Sequence, residues 1–205
     1  MRLFFFVLLF LIISLFANAQ KYDDYNAGYI YDLQNVKSPG LIKWTPPVIS
    51  PFKGVGDHLF FKLTEDDTRQ KVESTKIQSF VMVADSFVVS RAKDMEKYPV
   101  LKVVFNKPAN KLYARYRTTN FQGGAGFYMS NGYMIDYYFG PDPDHITEVS
   151  RKNFTEVMPY FVEDWPSMAN NIKNKEYHYG DIDDMLAKYF KHKKAIEAKK
   201  AATTQ

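Results

Sequence analysis

The chain contains no cysteine. Disulfide scaffolds and Cys-ligated zinc or iron–sulfur centres are therefore excluded. Histidine is scarce, with only His58, His145, His178 and His192. No Gly-x-Ser-x-Gly elbow accompanies them, so nothing in the motif content marks a serine nucleophile. No Gly-Lys-Ser/Thr follows the Gly-rich stretch at residues 122–126, and the next segment, Phe127-Tyr-Met-Ser-Asn-Gly-Tyr133, is not helical. A phosphate cradle needs a helix opening there, so this stretch reads as a flexible loop and no cofactor is expected. A strong charge of one sign is also missing, since the formal net charge is +4.

Aromatics, by contrast, are abundant: 17 Phe, 15 Tyr and 2 Trp among 205 residues. A chain this long and 46% hydrophobic can bury a sizeable core, which excludes a solvated coil.

The first residues read as a secretory signal. Met1-Arg2 gives a short positive start, residues 3–16 are apolar except Ser14, and Ala17-Asn18-Ala19 supplies a small-x-small cleavage pattern before Gln20. An uncleaved anchor needs ~20 apolar residues, more than this run offers. With no Cys after the run, a bacterial lipoprotein anchor is excluded. The sequence thus predicts a secreted or periplasmic protein, open to outer-membrane association, with no transmembrane span after cleavage.

Positive charge gathers at the end of the chain. From Lys188 onward stand Lys188, Lys191, Lys193, Lys194, Lys199 and Lys200 against Glu197 alone. Once residues 1–19 are removed, the part before Lys188 is slightly acidic, which argues against a nucleic-acid partner despite an isoelectric point near 9.0. Lys191, Lys193, Lys194, Lys199 and Lys200 are the candidate contacts to an anionic surface, set against the plain reading of a solvated extension.

Periodicity places strands first. Residues 28–33, 41–44, 58–63, 71–75, 77–83, 86–91, 100–106, 111–118, 133–139 and 146–149 read as short strands. Residues 36–40 read as the first turn, residues 45–56 with Pro46, Pro47, Pro51, Gly54 and Gly56 as a loop, and residues 140–144 as a turn. Short connections favour antiparallel neighbours. In the hairpin of 100–106 with 111–118, alternation sets Leu101, Val103 and Phe105 on one face, partnered by Leu112, Ala114 and Tyr116.

After Ser150 the period becomes helical. Phe154, Val157, Met158, Phe161, Val162 and Trp165 form one stripe, with Asn153 and Glu156 as a capping box and Pro159 as a kink. Pro166 opens a second helix to Ile172, and Asp181 with Asp184 starts a third carrying Ile182, Met185, Leu186, Tyr189 and Phe190. The expected organisation is a signal at 1–19, a loose arm at 20–26, one α+β domain at 27–187 (β-rich to 149, helical from 150) and a frayed basic tail at 188–205.

Gly28-Tyr29-Ile30, Lys76-Ile77-Gln78-Ser79-Phe80, Asp85-Ser86-Phe87-Val88, and the segments Lys152-Asn-Phe154, Trp165-Pro166 and Ile172-Lys-Asn174-Lys175 stand in this order. The pattern resembles a loose family of uncharacterised secreted proteins of the Bacteroidota. That resemblance implies export and a small β-rich region with a helical end, and it carries over no functional residue.

Two further clusters carry chemistry. Asp142, Asp144 and His145 begin like a calcium loop, but the later Gly and closing Glu are missing, so a tight turn is preferred and no metal is expected. Tyr177-His178-Tyr179 with Asp181, Asp183 and Asp184 is able to supply a general base, against the reading that the tyrosines pack and Asp181 caps. The tyrosines Tyr22, Tyr25, Tyr29, Tyr31, Tyr133, Tyr137 and Tyr138 offer stacking platforms or ordinary strand packing. The leading expectation is an exported non-enzymatic binding module that meets a protein, glycan or anionic envelope component. The alternative is a secreted hydrolase using carboxylates near Asp142 and Asp144 or Asp181 and Asp184.

Overall fold

A computed structural model describes residues 24–48, 57–118 and 133–203. The signal-like segment, most of the expected arm, most of the proline-rich loop and the Gly-rich loop lie outside the described residues.

Ten strands form a single antiparallel sheet: β1 (Asn26–Asp32), β2 (Lys37–Lys43), β3 (His58–Lys62), β4 (Gln70–Glu73), β5 (Ile77–Met82), β6 (Asp85–Val89), β7 (Val100–Asn106), β8 (Lys111–Thr118), β9 (Tyr133–Asp142) and β10 (His145–Glu148). Their order is β10-β9-β8-β7-β6-β5-β1-β2-β3-β4. Helices α1 (Phe154–Phe161), α2 (Pro166–Lys173) and α3 (Ile182–Thr203) follow, so the fold is α+β with the strands first.

Topology forces this sheet to curl. Only the 3-10 turn Ser74–Lys76 joins β4 to β5, although β3, β2 and β1 lie between them. A flat sheet would hold β4 and β5 four strand spacings apart, roughly 19 Å. Four Cα steps from Glu73 to Ile77 reach at most about 15 Å. The strands β5-β1-β2-β3-β4 therefore wrap around their own core of Ile42, Trp44, Leu59, Phe61, Ile77, Phe80, Met82, Phe87, Val89 and Val100. Phe80 and Phe87 face each other across β5 and β6 and stack at 4.6 Å, with Trp44 tilted 5.0 Å from Phe87.

Strand β2 begins earlier than the sequence suggests. Lys37–Lys43 is extended, with Pro39 paired to Tyr29 and Gly40 to Gly28, where a turn was expected. Pairing of β2 with β3 starts only at Leu41, so residues 37–40 have a sheet neighbour on one side, a position that tolerates proline. Gly40 is needed because a Cβ there would sit 2.4 Å from the Lys62 carbonyl oxygen. Asn26, assigned to the loose arm, already pairs with Ile42.

The hairpin of β7 and β8 also departs from simple alternation. A bulge between Val103 and Phe105 puts Leu101 and Val103 on the face of Tyr113, and Phe105 on the face of Leu112 and Ala114. That second face packs on the helices through Phe154, Met158, Phe161, Met168, Ile172, Met185 and Tyr189. The first face carries Leu101, Tyr113 and Tyr138 under Met95 of the 3-10 turn Lys93–Met95.

Helix α1 ends two residues after Pro159, which removes the amide donor to Thr155. The expected capping box does not form. Asn153 Oδ1 instead accepts from the backbone N–H and hydroxyl of Ser150, while its amide donates to the Glu148 carbonyl. Pro166 opens α2 as expected. The expected frayed tail is helical in the structure: α3 continues unbroken from Ile182 to Thr203. Its first half buries Ile182, Met185, Leu186 and Tyr189, while residues 197–202 are exposed on every side.

Candidate functional site

The tail lysines divide by their place on α3. At about 100° per residue, Lys191 falls opposite the buried stripe with Lys194 and Lys188 to either side of it, and the Lys188 ammonium sits 5.3 Å over the Tyr177 ring. Lys193 lies toward the body and donates to Asp164 Oδ2 at 2.8 Å. The same carboxylate accepts from the Tyr189 hydroxyl at 2.7 Å. Burial raises the Asp164 pKa, but the Lys193 and Tyr189 hydrogen bonds outweigh it and hold the group below the usual carboxylate range. His192, one residue before Lys193, stacks on Trp165 at 3.9 Å. Lys193 thus helps fasten the helix, while its outward neighbours form a basic stripe.

Asp142 serves its own turn. Its Oδ1 accepts from the backbone N–H groups of Asp144 and His145. The His145 ring nitrogen Nδ1 sits 2.9 Å away from that oxygen, and this contact holds the Asp142 pKa below its usual value. Asp144 Oδ1 accepts from the backbone N–H of Arg91, tying the β9–β10 turn to the end of β6. Among the described residues, no group of three His, Asp or Glu side chains is arranged to hold a metal ion.

The segment before α3 has similar structural employment. Asp181 Oδ2 accepts from the His178 backbone N–H at 2.7 Å. Asp183 accepts from the buried Tyr137 hydroxyl, and burial together with Asp183 pushes the Tyr137 pKa far above normal. Tyr116, between the helical core and the curled core, is pushed up to about 12, chiefly by burial and then by Asp85 and Asp183. Asp184 stays exposed. Tyr137 and Tyr138 are both buried, on opposite faces of β9, so neither is a stacking platform.

A cluster that the motif reading passed over lies on the face away from the helices. Arg115 and Arg117 alternate on β8, and Arg115 pairs directly with Asp136 on β9. Asp136 Oδ2 accepts from Arg115 Nε at 3.1 Å and Nη2 at 3.0 Å, and forms an ion pair with Arg117 Nη2 at 2.5 Å. The three side chains retain only 13%, 18% and 14% of their accessible surface for Arg115, Arg117 and Asp136. Thioether sulfurs take two remaining donors: Met95 from Arg115 and Met134 from Arg117. Aromatic rings flank the charges, with Arg115 4.9 Å from the Tyr138 centroid and Arg117 5.9 Å from that of Tyr98. Arg117 Nε and the Tyr98 hydroxyl are buried without a partner. The available signal was two arginines at i and i+2 in a strand whose other face is apolar.

A buried carboxylate occupies the curled core. Asp57 is 4% exposed, and its Oδ1 accepts from the Trp44 indole at 3.0 Å. Desolvation raises its pKa to about 6, against the opposing effects of that bond and of nearby backbone N–H groups.

Compared with protein-family models, curated proteins and solved structures, the chain matches none.

Proposed function

We propose that the protein is an exported, non-enzymatic binding module of the cell envelope, whose α3 presents a basic stripe to an anionic partner surface. The observation that carries this reading is the helix itself. A solvated extension has no fixed arrangement of charge, whereas α3 holds Lys188, Lys191 and Lys194 on one arc and leaves residues 197–202 exposed. Each lysine near a charged membrane contributes about 1 kcal/mol, lost as salt rises. The signal-like start of the sequence supports a place outside the cytoplasm. A binding role is also supported by the carboxylates, because Asp142, Asp144, Asp181 and Asp183 each hold a hydrogen bond that shapes the fold.

Co-sedimentation with phosphatidylglycerol vesicles tests the reading, with phosphatidylcholine vesicles as the comparison. Binding to the anionic vesicles alone, weakened by salt and by combined Lys191→Gln and Lys194→Gln, is the expected result. Equal binding to both vesicle types, or none to either, overturns it.

A further inference from the structure

The geometry points to an oxyanion-binding site at the Arg115–Arg117 pair, which takes the carboxylate or phosphate group of a small ligand. Two guanidinium groups bring ten N–H donors and two positive charges to one place. The oxygen that answers them there is Asp136 Oδ2, which accepts two bonds from Arg115 and forms an ion pair with Arg117. One carboxylate leaves the cluster with a surplus positive charge. The methionine sulfurs that take two further donors, at 3.4 and 3.3 Å, are weak acceptors.

Orphaned groups give a second, independent observation. Arg117 Nε is buried with no acceptor, and the hydroxyl of Tyr98, a residue only 7% exposed, is buried likewise. Buried polar groups are normally satisfied, so an unfilled set beside a surplus charge marks a place for an acceptor. The planar guanidinium fork suits the paired oxygens of a carboxylate or phosphate.

Preorganisation completes the case. Asp136 and the rings of Tyr98 and Tyr138 hold the arginines in place before any ligand arrives. Both arginine side chains keep part of their surface exposed, at 13% and 18%, through which a ligand group reaches the cluster once the side chains shift to admit it. This face of the sheet is opposite the one covered by the helices, so the site is separate from the α3 stripe.

Calorimetric titration of the mature chain with sodium phosphate, and separately with sodium acetate at matched ionic strength, tests the site and distinguishes the two ligand groups. Saturable one-to-one binding is expected for at least one of them. It should weaken at least tenfold, on the order of one bidentate contact, in Arg117→Lys, which keeps the charge and loses the fork. It should be unchanged in Lys191→Gln. No saturable heat with either anion, or equal affinity in Arg117→Lys, overturns the proposal. Should that variant not fold, the Nε–H resonance of Arg117 in the unmodified protein decides: it moves with phosphate or acetate if the site is real, and binding that leaves it unmoved overturns the assignment.

Discussion

The Trp44 indole donates to Asp57 Oδ1 across 3.0 Å in the interior of the curled sheet, thirteen residues apart in sequence. This bond satisfies the indole but leaves Asp57 Oδ2 buried without a partner. The folded state therefore prefers the protonated acid. With the folded pKa raised from 3.8 to about 6, the associated stability is fully present below pH 3.8 and is lost as pH rises through 6. At about 1.36 kcal/mol per unit, the loss is on the order of 3 kcal/mol. Asp57→Asn keeps an acceptor for the indole and removes the titration. Urea unfolding of both proteins across pH 4–7 should show their stability difference moving toward the variant by about that amount. A difference that does not change with pH overturns the account.

Val83 occupies the left-handed region at φ 59° in the two-residue turn between β5 and β6. Such a conformation costs a non-glycine residue about 1–2 kcal/mol, and the β-branch aggravates it. The side chain is 57% exposed and contributes little burial in return. Glycine adopts this conformation freely, at an entropic cost of roughly 0.5–1 kcal/mol. Val83→Gly should therefore raise the melting temperature by about 1–4 °C. A fall would show that the valine makes contacts worth more than its strain.

Gly40 presents the reverse case. A Cβ at this position meets the Lys62 carbonyl oxygen at 2.4 Å and the Phe61 ring at 2.6 Å. Backbone cannot step aside as a flexible side chain can, so Gly40→Ala must separate β2 from β3. The expected cost is about 1–3 kcal/mol, as for other overpacked sites. Thermal unfolding measures it, and an unchanged midpoint would mean that β3 moves without penalty.

How much of this was legible depends on where the information resides. Strands β7 and β8 were read to their observed ends because Val100–Asn106 and Lys111–Thr118 are apolar-rich and bounded by Asn, Pro and Lys. The bulge within β7 was not, since Val103, Val104 and Phe105 are all apolar and carry no mark of a register change. Pro39-Gly40 reads locally as a turn, and only the end of β3 at Lys62, opposite Leu41, leaves that side of the strand open to proline. The arginine cluster escaped for a related reason. Charges on a strand suggest a solvated face, whereas Asp136 arrives from β9 and Tyr98 from the segment after β6. Those partners are close in space and remote in sequence.

Helix α3 shows the same gap between pattern and packing, and truncation tests it. The apolar stripe thins after Phe190, which suggested an end to order there. In the structure the fastening continues for another turn through Tyr189, His192 and Lys193, which hold Asp164 and Trp165. Removing residues 188–205 deletes Tyr189, a buried member of the helical core that also contacts Phe105 at 5.2 Å. Loss of one such aromatic costs about 3–5 kcal/mol, a large share of a domain's stability. Ending the chain at Glu197 instead removes, among residues 198–202, only exposed positions and should leave the midpoint within about 2 °C. Around Asp164, Tyr189→Phe should cost about 1–2 kcal/mol for the part-buried hydrogen bond to the carboxylate, while Lys193→Gln should cost less because its ion pair is solvated. Urea unfolding of the two truncations and two variants gives the ranking. Equal stability of the two truncated chains would mean that the basic half of α3 rests on the body without holding it.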